Sequence, residues 1–129
     1  MSTDKQTCKD RIAEHLASRA GDFETYFSDW QVYDEGNEEL PPFHSYGLSF
    51  DWREDEDTGR RVSRDLLLSW GGPSDFVRFH EDGSVTYHFQ DWFDGAVRDV
   101  TNEDWATQLR EHFEEFGMLS FSINSGWGE

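Results

Sequence analysis

The 129-residue chain carries 28 Asp and Glu against 11 Lys and Arg, a formal charge of −17 that opposes direct binding to nucleic acid or to an anionic membrane. A lone cysteine, Cys8, excludes an internal disulfide, and no apolar run approaches a membrane span, so a reducing, cytoplasmic setting is expected. The length suits one domain, 1–129, whose 11 Phe, 6 Trp and 4 Tyr supply an aromatic core.

The charge is not a tail. Residues 1–45 sum to −6, residues 46–100 to −6 and residues 101–129 to −5, so the folded body itself is acidic. Only Lys5 and Lys9 are lysines, and every later cation is arginine. That composition also fits a salt-adapted protein.

In chain order, Ser2 or Thr3 is expected to cap a first helix, with Asp4 in its opening turn. Cys8, Ile12 and Leu16 recur at four-residue intervals, and the helix is expected to stop near Gly21. Asp22 opens a shorter helical piece with Phe23, Phe27 and Trp30 on one face, completing a helical part over 1–30. Gln31 to Pro42, which includes Asp34, Glu35, Glu38 and Glu39, reads as a connecting loop halted by its two prolines. Tyr46, Leu48, Phe50 and Trp52 alternate with Gly47, Ser49 and Asp51, the period of a half-buried strand. A hairpin loop then holds Glu54, Asp55, Glu56 and Asp57, with Arg60 and Arg61 on the returning arm, placed to neutralise it.

Strands are expected over about Arg64 to Trp70, Asp75 to His80, Ser84 to Trp92 and Ala96 to Val100, so that the sheet occupies 46–100. A three-residue loop, Glu81-Asp82-Gly83, pairs Phe79 with Val85 and Val77 with Tyr87, gathering the apolar residues on one face. Asp94-Gly95 is read as a two-residue turn. Thr101 is expected to cap a helix over 101–117, with an apolar stripe of Ala106, Leu109, Phe113 and Phe116. Leu119, Phe121 and Ile123 alternate, so 118–129 is read as a short edge strand and a tail. The sum is an α+β fold: an antiparallel meander of four to six strands with an N-terminal and a C-terminal helix packed on it.

Catalytic and metal-binding patterns are weak. There is no Gly-x-Ser-x-Gly, no His-x-x-x-His and no cysteine pair, and Gly71-Gly72 lacks the loop and lysine of a phosphate cradle. His80 and His88 share a face but sit about four residues apart along the ladder, roughly 13 Å. Trp70 and Trp92 read as packing residues, and Asp75 and Asp91 as strand-end carboxylates bonded to turn N–H groups. The expectation is therefore no enzyme, no cofactor and no metal, with a hydrolase using an unrecognised acid pair as the minor alternative.

Leu68 to Asp75 (LSWGGPSD), the following FVRF, and Phe89 to Ala96 (FQDWFDGA) resemble a motif pair of small acidic accessory proteins from phages, plasmids and integrative elements. Those proteins accompany anti-restriction and anti-CRISPR genes. The resemblance implies a non-catalytic inhibitor in the host cytoplasm, monomeric or homodimeric. Its partner would be a basic nucleic-acid-binding protein, such as a Cas effector subunit or a restriction enzyme. A charge of −17 equals that of roughly eight base pairs of duplex, which permits mimicry. The expected contacts are the exposed acids: Glu54, Asp55, Glu56 and Asp57, then Asp91 and Asp94, then Glu111, Glu114 and Glu115 on the last helix. The alternative is a salt-adapted acidic protein-binding module without mimicry.

Overall fold

The computed structural model describes residues 7–91 and 94–121. Helix α1 (Cys8–Ser28) begins with a capping box in which Thr7 Oγ1 accepts the Asp10 N–H and the Asp10 carboxylate accepts the Thr7 N–H. The start is thus Thr7 and not Ser2 or Thr3, which lie outside the described residues. The helix also runs through Gly21. A glycine there costs about 1 kcal/mol, but beyond it Phe23 and Tyr26 are fully buried and extend the stripe of Ile12 and Leu16. Burying two such rings outweighs that cost severalfold.

Asp29 accepts N–H bonds from Gln31 and Val32 and so starts a second helix, α2 (Trp30–Glu35), inside the stretch expected to be loop. Buried Val32 holds it down. A short 3₁₀ turn, Phe43–Ser45, follows, and the first strand starts later than the alternation suggested. Tyr46 precedes that strand, with its hydroxyl donating to Asp22 Oδ2 at 2.5 Å and accepting from Arg19 Nη1 at 2.8 Å.

The sheet comprises β1 (Ser49–Glu54), β2 (Arg61–Ser69), β3 (Ser74–His80), β4 (Val85–Asp91) and β5 (Asp94–Asp99), all antiparallel and in chain order. This is the expected α+β meander. The central hairpin has the expected register, Phe79 opposite Val85 and Val77 opposite Tyr87, with Gly83 at φ 99° closing its turn. The last hairpin differs. Asp91 pairs with Asp94 and Gln90 with Gly95, so Asp94-Gly95 belongs to β5 and the connection is 92–93, where Trp92 lies outside the described residues. That register places Ala96 opposite the buried Phe89.

Phe50, Leu66, Leu68, Val77, Phe79, Val85, Tyr87 and Phe89 form the face covered by α1 and by α3 (Asp104–Glu115). Helix α3 enters the core through Trp105, Leu109 and Phe113; Trp105 lies parallel to Phe23 at 5.4 Å, and Phe113 meets Phe50 at 4.5 Å. Its N-cap is Glu103, without a side-chain bond. Thr101 accepts the Val85 N–H and donates to Asp99 instead. Leu119 to Phe121 form no strand. Arg64 donates to the Met118 carbonyl and Arg61 to that of Ser120, and Phe121 stands edge-on to Trp52; Ile123 lies outside the described residues.

One charged group is buried under this layer. Asp75, 2% exposed, accepts from Arg19 Nε and Nη2, Ser69 Oγ and Tyr87 Oη, where turn N–H groups were expected. Burial alone would raise its pKa, but the bonds from Arg19, Ser69 and Tyr87 reverse this and hold it below the usual carboxylate range. Trp70, expected to pack, is 78% exposed, because Ser69 and Asp75 clamp the base of the turn while the intervening residues stand clear of the sheet. Among the described residues no helix is long and apolar enough to cross a membrane.

Candidate functional site

A meander in chain order sends alternate connections to the same end of the sheet. The β1–β2 loop, the β3–β4 loop and the β5–α3 connection therefore meet at one end, joined by the Glu81 N–H bond to the Val62 carbonyl and the Val100 N–H bond to the Val85 carbonyl. Each of the three carries an aspartate folded back on its own backbone. Asp55 Oδ1 accepts from the N–H groups of Asp57 and Thr58 at 2.8 and 3.0 Å. Asp82 Oδ1 accepts from Ser84 N and Oγ at 2.8 and 2.6 Å, and Asp99 Oδ1 from Thr101 N and Oγ at 2.9 and 2.6 Å.

These bonds lower all three pKa values: for Asp55 through the backbone of Thr58 and Asp57, for Asp82 and Asp99 through a hydroxyl first and then a backbone N–H. The carboxylates are ionised at neutral pH and held in one orientation. Exposed Glu54, Glu56, Asp57, Glu81, Glu103 and Asp104 surround them. Arg60 pairs with Glu81, but Arg61, expected to neutralise the loop, lies over the Trp52 ring at 4.4 Å and donates to the Ser120 carbonyl. The end stays strongly negative.

The contact residues expected from sequence divide among three places. Glu54, Asp55, Glu56 and Asp57 lie at this acidic end. Asp91 and Asp94 lie at the opposite end, beside the start of α1. Asp91 is paired with Arg11 at 2.6 Å, and Asp94 accepts the Cys8 N–H at 2.7 Å and the Gly95 N–H at 2.9 Å. The bond to the Cys8 N–H comes first among the causes that lower the Asp94 pKa. Both residues hold α1 to the sheet, and Asp94 is exposed at that end. Replacing Asp94 by alanine leaves the Cys8 N–H at the helix start without its acceptor and is expected to lower the urea midpoint of unfolding with an unchanged slope.

Glu111, Glu114 and Glu115 are exposed on α3. Glu114 pairs with Arg110 at 2.9 Å, while Glu111 and Glu115 border a shallow hollow with Phe27, Gln108 and His112. The structure keeps Asp91 and Asp94 away from the β1–β2 loop, whereas Glu114 is tied through Arg110 to the β3–β4 turn, Arg110 donating to the His80 carbonyl at 3.2 Å. It adds instead Asp82, Asp99, Glu81, Glu103 and Asp104. The sequence signal of the three backbone-tied aspartates is a serine or threonine two or three residues later, seen at Asp55 with Thr58, Asp82 with Ser84 and Asp99 with Thr101; Glu81, Glu103 and Asp104 are not among them.

The uncovered sheet face holds a second polar group. Thr86 Oγ1 lies 2.8 Å from Nε2 of His80 and 2.8 Å from Nε2 of His88, so the two imidazoles meet on one hydroxyl despite their ladder separation. Side-chain reach closes the gap that backbone distance left. Arg78 bridges to Asp65 with two bonds beside them. Among the described residues no group of three or more His, Cys, Asp or Glu is placed to hold a metal ion. Compared with protein-family models, curated proteins and solved structures, the chain matches none.

Proposed function

We propose that this protein is a non-catalytic inhibitor of a nucleic-acid-targeting defence complex, of the anti-CRISPR or anti-restriction type. Its acidic sheet end occupies a basic cleft that otherwise holds DNA or RNA. The observation that supports this reading is the convergence of three backbone-tied aspartates, Asp55, Asp82 and Asp99, on adjacent loops of one sheet end.

Adjacent strands lie about 4.8 Å apart, so turns centred two strands apart are separated by roughly 10 Å, comparable to the Debye length of ~8 Å at physiological salt. Each turn therefore adds to the field of its neighbour, and the row as a whole spreads negative charge along the sheet end. Fixed orientation matters as much as sign, because a carboxylate already ordered loses little entropy on docking. A cationic cleft built for phosphates would meet oxygens that need no rearrangement.

The test is Asp55→Asn/Asp82→Asn/Asp99→Asn. Asparagine keeps the side-chain oxygen that accepts the turn bonds but removes three charges. Circular dichroism is expected to be unchanged. Association with the defence complex captured from host lysate should weaken at least tenfold at low salt, with a shallower salt dependence. Unchanged association would place the contact elsewhere. The scarcity of lysine favours a second reading, a salt-adapted binding module. DNA competition separates the two, since a mimic and a duplex exclude each other from one cleft while the module tolerates both.

A further inference from the structure

Away from the acidic end, the 3₁₀ turn, the start of β1 and the C-terminal part of α3 enclose a cavity of about 520 Å³. Its walls include Tyr33, Phe43, Phe50, His112 and Phe113, and Leu48 and Phe116 stand at its open side with 59% and 64% of their surface exposed. Gly47 sets one wall. A Cβ there would fall 2.7 Å from Leu66 Cδ1, so a side chain at this position would displace the end of the Leu66 side chain. The volume is in the range of small-molecule sites, ~300–1,000 Å³.

The chemistry of the wall selects the guest. Among the described residues no Asp, Glu, Lys or Arg lines the cavity, and its polar side chains are Tyr33, His44, Tyr46, Ser49 and His112. The Tyr33 hydroxyl is engaged with His112 Nε2 at 2.8 Å and the Tyr46 hydroxyl with Asp22 and Arg19, while His44 is exposed at the rim, so the inner wall offers a charged head group no full charge to pair with. An anion is further opposed by the net charge of −17. A cation would need an open aromatic face, yet Tyr33 and Phe43 stack on each other at 4.8 Å, and Phe50 carries Phe113 at 4.5 Å and the Arg64 guanidinium at 4.0 Å. What remains is an apolar, aromatic-walled space for an uncharged ring.

We propose that this cavity is a binding site for an uncharged aromatic small molecule, independent of the acidic end. Leu48 and Phe116 form the lips that close on the bound ring. The site is separate from the proposed inhibitory surface, so either can fail without the other.

The probes are the uncharged dye N-phenylnaphthylamine and its sulfonated analogue, anilinonaphthalene sulfonate, which differ by one negative group on the same rings. Titrated into the full chain, the uncharged dye is expected to give saturable, blue-shifted fluorescence at one site per chain. Its affinity should exceed that of the sulfonate at least tenfold at low salt. Leu48→Ser/Phe116→Ser alters exposed side chains only, and is expected to weaken the uncharged dye at least tenfold with an unchanged circular dichroism spectrum. Amide chemical-shift mapping of the unmodified protein gives an independent reading, with the largest changes at Gly47, Leu48, Phe50, His112 and Phe116. The proposal is overturned by absent saturation, by equal or tighter binding of the sulfonate, by full affinity in the folded double variant, or by shifts centred elsewhere. Of these, shifts at the open sheet face would assign the dye to Phe76 and Val97 instead.

Discussion

Asp75→Ala is expected to lose about 3–5 kcal/mol, the cost of stripping one partner from a buried ion pair, and so most of the stability of a domain holding ~5–15 kcal/mol. The carboxylate takes four bonds from three elements: Arg19 of α1, Ser69 at the end of β2, and Tyr87 of β4. Removing it leaves the Arg19 guanidinium charged, half-enclosed and facing Tyr46 alone. Asp75→Asn should recover only a minor part, since it keeps one acceptor and adds two donors where donors already converge. Urea unfolding followed by near-ultraviolet circular dichroism measures the loss. A cost under 1 kcal/mol would show that solvent reaches the pair.

The second large effect depends on pH. Burial, and after it the positive charge of Arg78, pushes the pKa of His88 down to about 4. In the unfolded chain an imidazole titrates near about 6.5. Between these values the unfolded state binds the proton and the native state does not, so the stabilising effect is complete above pH ~6.5 and is lost as pH falls toward 4. The difference corresponds to about 3 kcal/mol. His88→Phe keeps the parallel stack on Phe76, now at 4.5 Å, and removes the titration. Its unfolding free energy should therefore change much less between pH 7 and pH 4 than that of the natural chain. His80 and His112 are shifted in the same direction, chiefly by burial, so the profile flattens without becoming level. Parallel profiles for the two proteins would refute the assignment.

Local pattern carried the sheet well. Strict alternation at Val77, Phe79, Val85 and Tyr87, with Gly83 available for a positive φ, leaves one register that buries all four. Where alternation continued past the end of a strand it misled. Tyr46 and Leu48 keep the period of β1, but Tyr46 is held by Arg19 and Asp22 and Leu48 faces solvent. Gly21 looked like a stop because propensity is local, whereas Phe23 and Tyr26 are buried against Phe43, Tyr46 and Trp105, which the chain brings in only later. Trp70 was misread because a large indole argues for burial, while the clamp at its base turns it outward.

The candidate site was half legible. The run from Glu54 to Asp57 is visible as charge, but Asp82 and Asp99 join it only through the meander's alternation of ends. Asp91 and Asp94 looked equally exposed and equally acidic until their partners, Arg11 and the Cys8 N–H, appeared from eighty or more positions earlier. Charge is written along the chain, whereas its availability is decided by what folds against it.

The strand order has a temporal side. Each hairpin of the sheet closes from neighbouring residues and can form as soon as its second strand exists. Helix α1 is made first yet docks on β4 and β5, the last strands of the sheet, through Arg11 and Cys8. The N-terminal turns of its apolar stripe therefore gain their cover only when residues 80 and 86 positions further along the chain have joined the sheet.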